Sequence, residues 1–239
     1  MRALKLLVAI VENTHGFDES VLQDCLGDMY VVLALSVHPK DIGWQVINRP
    51  RLYFVLYLRD RVMCAIDIQA VYQATSERFH GHGLLDIVTA MVSSSAELLA
   101  CENAVRHRKG LEPVQEPSSS WEAYLSPNQK AYLALYSAKW RMRYGVDPEA
   151  DSRCSFDLGQ NPLFFGGPTR GVPCFCTRSS RLWVPMRRRW LLPSEVGVCM
   201  GWPLRDSGLA HFPIALLGKG MHVGKMSEWC LRLRWHACK

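Results

Sequence analysis

Five arginines crowd one short stretch of the chain: Arg178, Arg181, Arg187, Arg188 and Arg189. A guanidinium is a planar fork of donors, the shape best matched to phosphate oxygens and base edges, so this stretch is a candidate contact for a polyanion. The same residues also fit a solvated loop with scattered charge. A second group lies near the start, where Glu12 and Asn13 close a hydrophobic run and Arg49 and Arg51 stand just ahead of another. A carboxylate at a strand end can cap a loop, and arginines there can protect a sheet edge. Tyr53 and Trp202 read as core or hinge aromatics. Cys174 and Cys176 form a C-x-C pair, but no Cys or His pair follows at zinc-binding spacing, so no metal is expected.

These groups must be positioned by the elements around them. Residues 4–11 form an almost unbroken apolar run with β-branched members, the pattern of a strand buried on both faces. After a loop at residues 14–16, Asp18 can cap a short helix that runs to about Leu26 and stops at Gly27. Residues 30–37 read as a strand ended by His38-Pro39, and Asp41-Ile42-Gly43 turns the chain into a third strand over 51–58. Strand, helix, strand, turn, strand predicts the end of an α/β sheet with an antiparallel pair.

Further on, residues 84–107 carry helical spacing, 112–120 read as a linker, and Ser126-Pro127 opens a helix that closes at Gly145. Gly, Pro, Asp and Asn dominate 145–173 and predict loops. Residues 182–190 are basic and aromatic, Pro193-Ser194-Glu195 starts a short helix, and a last helix is expected from about Gly220.

The chain has 239 residues, enough for a sizeable core, and a formal net charge of +6 that is compatible with a polyanion partner without requiring one. Its nine cysteines sit mostly among core-like neighbours and read as reduced thiols. The longest apolar runs fall far short of the roughly 20 residues of a membrane-spanning helix, so no membrane partner is expected. The N-terminus lacks a signal-peptide pattern, and the chain is read as non-secreted.

Several of these blocks, taken in order and spacing, resemble the C-terminal motifs of DNA cytosine-5 methyltransferases. Glu12-Asn13-Thr14 is similar to the family's Glu-Asn-Val at a strand end. Asn48-Arg49-Pro50-Arg51-Leu52-Tyr53 resembles Gln-x-Arg-x-Arg-x-Tyr, with Ile47 standing in place of the glutamine. Arg189 to Glu195 with Gly201-Trp202-Pro203 resembles Arg-x-Leu-Thr-x-x-Glu and Gly-Phe-Pro. Gly218-Lys219-Gly220-Met221 resembles Gly-Asn-x-Met/Val, with Lys219 in place of the asparagine.

The resemblance implies methyl transfer from S-adenosylmethionine to cytosine in DNA, with the base turned out of the duplex. In this chemistry a cysteine thiolate adds to the ring while an acid takes up the charge at the ring nitrogen. Glu12 resembles that acid, Arg51 the arginine on the cytosine carbonyl oxygen, and Arg49 its support. Gly218 and Lys219 resemble the cofactor contact, and Arg178, Arg181, Arg187, Arg188 and Arg189 fall where DNA contacts are expected. The implied fold is the C-terminal portion of a Rossmann-like α/β sheet with an inserted, irregular and helical target-recognition region. The division is 1–60 catalytic, 61–180 recognition, 181–239 catalytic again.

The family's Pro-Cys-Gln nucleophile and cofactor loop precede Glu-Asn, and only eleven residues precede Glu12 here. The resemblance therefore implies a fragment that is inactive alone, or a subunit completed by a second chain, or a non-catalytic DNA-binding remnant. An apolar sheet edge would be left open, so the isolated chain is expected to aggregate or to need that partner. A nuclear setting follows from the family.

Overall fold

The computed structural model describes residues 5–44, 46–63, 67–79, 86–163, 168–174 and 181–201. The fold is mixed α/β, with two three-stranded sheets and six helices among the described residues. The chain divides into two compact units, one of residues 1–44 and 49–83, the other of residues 45–48 and 84–239.

The first unit begins with β1 (Val8–Thr14), α1 (Ser20–Leu26), β2 (Tyr30–Val37) and β3 (Arg51–Leu58). β3 lies between the other two and is antiparallel to both, so β1 and β2 point the same way and α1 is the crossover between them. Asp18 Oδ1 accepts the Ser20 N–H at 3.0 Å and starts α1. Gly27 ends it, and a Cβ there would lie 2.4 Å from the Gln23 carbonyl oxygen. One sheet face, with Tyr30, Phe54, Leu56 and Leu58, packs with Leu26 of α1, and Phe17 meets Phe54 edge-on at 5.6 Å.

The expectation of a strand over 4–11 buried on both faces is corrected. Pairing begins at Val8 and runs to Thr14, most of the strand is half-buried, and Leu6, Leu7 and Val8 are exposed. The reason is position. β1 is bonded to β3 on one side and, among the described residues, to no strand on the other.

A 3-10 turn at Pro39–Ile42 leads out of β2, held by His38 Nδ1 accepting the Lys40 N–H at 3.1 Å and Asp41 Oδ2 accepting the His38 N–H at 3.2 Å. Gly43 follows with φ 78°, the left-handed backbone that favours glycine. A further helix, α2 (Ile68–Phe79), which is not among the expected elements, docks on this turn through Tyr72, whose hydroxyl donates to Asp41 Oδ2.

The second unit is helical around an aromatic core. The spacing over 84–107 resolves into α3 (Ile87–Ala90) and α4 (Ser95–Arg108), broken where Ser94 caps α4: Ser94 Oγ accepts the Glu97 N–H at 3.2 Å and Glu97 Oε2 accepts the Ser94 N–H at 2.9 Å. The predicted helix after Ser126-Pro127 is α5 (Pro127–Tyr144), closed by Gly145 at φ 70°. The expected linker is irregular yet tied down, because Asn103 pairs both ways with the Val114 backbone and Glu102 accepts from Ser118.

β4 (Phe156–Asp157), β5 (Leu182–Val184) and β6 (Arg189–Trp190) form a small antiparallel sheet, followed by α6 (Pro193–Cys199). Trp121, Tyr124, Trp140, Phe156 and Trp183 are buried against these elements, and Trp183 meets Trp190 edge-on at 5.6 Å. Residues 46–48 belong here too. Ile47 bridges Val172 in parallel, with Val172 N–H to Val46 O at 2.6 Å and Asn48 N–H to Val172 O at 2.8 Å.

Candidate functional site

Because successive side chains alternate across a strand, residues opposite one another in a ladder share a face. Glu12 of β1 stands opposite Tyr53 of β3, and Thr14 opposite Arg51, so Glu12, Arg51 and Tyr53 share one face at the end of the sheet. There Arg51 Nε lies 3.3 Å from Glu12 Oε1, and both side chains are 12% exposed. Arg51 Nη1 also donates to the Pro50 carbonyl at 2.8 Å, which fixes the guanidinium plane.

Arg49 is buried, and it joins the same electrostatic group. Burial first, then the Glu12 charge, hold the Tyr53 phenol well above its ordinary range, while Arg49 and Arg51 pull it back. Glu12 and Arg51, two of the three residues expected to act on a base, are thus brought together by one antiparallel pair, and the third, Arg49, acts on the same Tyr53 phenol. Tyr53, read from sequence as a core aromatic, is both core and neighbour of this cluster. Its i, i+2 relation to Arg51 was the signal.

The arginine-rich stretch separates into different roles. Arg189 gives Nη1 to Glu195 Oε2 at 2.8 Å and Nη2 to Oε1 at 2.7 Å, and Glu195, fully buried, also accepts the Leu192 N–H at 2.9 Å. Arg189, its side chain 11% exposed, is therefore a largely enclosed partner that pins α6 to β6, not an exposed cation. Arg188 sits at φ 48° and donates Nη2 to Glu122 Oε2 at 3.0 Å, about half exposed. Arg181 and Arg187 are exposed, and the Arg181 N–H donates to Asp157 Oδ1 at 2.7 Å. Arg178, together with Gly218 and Lys219 of the expected cofactor contact, lies outside the described residues, as does the expected final helix.

Cys174 is exposed and Cys176 lies outside the described residues. Among the described residues no three His, Cys, Asp or Glu side chains are grouped to hold a metal ion. No helix among them is long and apolar enough to cross a membrane.

No family model matches the chain, and no curated protein does. Among solved structures, the chain is similar to that titled "Crystal structure of S. pombe Dnmt2 methyltransferase", with TM-score 0.49 and 18% identity over 98% of this chain and 68% of that one. At that identity and score the likeness bears on neither activity nor substrate.

Proposed function

We propose that the chain forms the cytosine-side and target-recognition portion of a nucleic-acid cytosine-5 methyltransferase, with DNA as its substrate. The observation that carries this reading is the Glu12–Arg51 pair at 3.3 Å on neighbouring strand ends, backed by Arg49 and Tyr53. Cytosine presents an exocyclic amine, a ring nitrogen and a carbonyl oxygen along one edge. A carboxyl group can accept from the amine and, when protonated, donate to the ring nitrogen, and a guanidinium donates to the carbonyl oxygen. Side by side, Glu12 and Arg51 match that edge.

On this reading the two side chains hold each other until a base arrives, and base entry exchanges their ion pair for contacts to the ring. Glu12 then supports the negative charge that builds on the ring nitrogen, and Arg51 the charge on the carbonyl oxygen. S-adenosylmethionine would supply the methyl group, and the expected contacts are Gly218 and Lys219. The thiolate and cofactor loop would be supplied elsewhere in the polypeptide or by a second chain. The nucleus is the setting this reading implies.

The test is a duplex carrying a fluorescent cytosine analogue whose emission rises when it leaves the stack. Titration with the chain, alone and together with any co-purifying partner, is expected to raise emission, and Glu12→Ala or Arg51→Ala is expected to remove most of the rise while leaving overall DNA binding in place. An equal rise in both variants, or none in the wild type, defeats the proposal.

A further inference from the structure

The second unit contains an open cavity of about 350 Å³ whose lining includes Arg108, Lys109, Arg181, Ser126, Gln129 and Trp190. We propose that this groove holds a phosphodiester of the bound strand. The proposal rests on the nucleic-acid reading above and adds to it residues that the arginine-rich stretch does not contain.

Three cations converge here from two parts of the chain. Arg108 and Lys109 come from the end of α4, where a positive charge complements the helix dipole, and Arg181 comes from the segment entering β5. The dipole explains the first two. It does not explain why Arg181 is brought beside them. All three are exposed, and among the described residues the lining carries no carboxylate to balance them. Like charges around one cavity repel, and an entering anion removes that repulsion.

The remaining lining suits an anion as well. Ser126 and Gln129 are the capping pair at the N-terminus of α5, an 18-residue helix whose positive end therefore faces the groove. Trp190 lines it too. A phosphate is the common group that meets converging cations and a helix N-terminus together.

The experiment compares the wild type with the triple variant Arg108→Ala, Lys109→Ala, Arg181→Ala, using anisotropy of a short labelled cytosine-containing duplex across a salt series. Each phosphate neutralised contributes roughly 0.9 to the slope of log K against log salt, so the triple variant, having lost its hold on one phosphodiester, is expected to lose about 0.9 from that slope and at least tenfold in low-salt affinity. Far-ultraviolet dichroism of the variant checks that it folds, and Arg181→Gln alone, with a smaller loss in the same slope, serves if it does not.

Wild-type binding with an unchanged slope in the variants overturns the groove while leaving the methyltransferase reading intact. No duplex binding by the wild type overturns both. A melting temperature raised by inorganic phosphate in the wild type but not in the triple variant, without duplex binding, assigns the groove to a free phosphate and overturns its assignment to a strand.

Discussion

Glu195 receives both terminal nitrogens of Arg189, at 2.7 and 2.8 Å, six residues back along the chain. The carboxylate is fully buried, so its charge depends on this fork and on the Leu192 N–H for what water would otherwise give it. Removing either partner leaves the other enclosed without its counter-charge, which typically costs about 3–5 kcal/mol. Arg189→Ala and Glu195→Ala are each expected to lower the urea midpoint strongly, and the double variant to lose less than the sum of the two. Arg189→Lys should not restore the wild-type midpoint, since an ammonium cannot bridge both oxygens in one plane. A midpoint unchanged in Arg189→Ala removes the structural role.

Glu102 gives a pH signature. Burial on its own raises a carboxyl's pKa, yet hydrogen bonds from the Ser118 and Tyr124 side chains and from the Ser118 N–H prevail, and the net shift is downward. A group whose folded-state value is depressed adds stability above its ordinary value and loses it as the pH falls toward the folded one. The melting temperature is therefore expected to drop as the pH falls below about 4.5, the ordinary value for this group. Glu102→Gln should start lower and fall less steeply through that window. Parallel curves for the two proteins would count against the assignment.

Tyr53 and Tyr72 predict the opposite end of the profile. Both phenols are held above their ordinary value of 10.0, foremost by burial and then by a neighbouring carboxylate, Glu12 for Tyr53 and Asp41 for Tyr72. Raised folded-state values contribute stability that is complete below about pH 10 and is lost as the pH rises further. Alkaline unfolding followed by dichroism should shift to higher pH in Tyr53→Phe or Tyr72→Phe, after correction for any change at neutral pH. No shift in either variant would exclude these phenols as the cause.

The ends of α5 make a third measurable pair. Ser126 Oγ accepts the Gln129 N–H at 3.2 Å and Gln129 Oε1 accepts the Ser126 N–H at 2.9 Å, so Ser126→Ala is expected to cost about 1 kcal/mol. Gly145 has φ 70° with open space where a Cβ would lie, so Gly145→Ala is expected to cost about 1 kcal/mol through backbone strain alone. The two sites share no partner, and their effects should add in urea unfolding.

Much of the stretch from β1 to β3 was legible because short-range signals agreed: apolar runs of strand length, Asp18 and Gly27 at the ends of α1, and a turn before β3. The burial and start of β1 were not, because the apolar run over 4–11 does not say that the strand, among the described residues, has one bonded side. α5 was legible for the same reason, with both caps written in sequence. α2 was missed, although Ile68, Val71, Tyr72 and Thr75 recur at helical spacing and Asp67 caps its start, because the stripe is short and interleaved with Gln, Ala and Ser; Tyr72 meets Asp41 from a distant turn. In the candidate site, Glu12 and Arg51 could be named from sequence through family resemblance, but their 3.3 Å approach depends on a register that no local pattern specifies. The arginine-rich stretch read as one uniform surface because composition ignores partners. Glu122 and Glu195 divided it, and only Glu195, six residues from Arg189 at the start of a helix, lay close enough to have been suspected.

The bridge between Ile47 and Val172 links points about 125 residues apart, and the strip of four residues from between β2 and β3, 45–48, belongs to the second unit. During synthesis that strip leaves the ribosome long before Val172 exists, so it must wait unpaired while α4, α5 and β4 are made. Closing so long a loop is an entropic step that later contacts must offset, which makes this bridge a late event in folding. A release of residues 84–239 as a separate product by a single cut would therefore yield a unit whose Val172 backbone has lost its bridge to Ile47, and a circularly permuted chain opened between residues 44 and 49 would be the more damaging rearrangement than one opened in a surface loop.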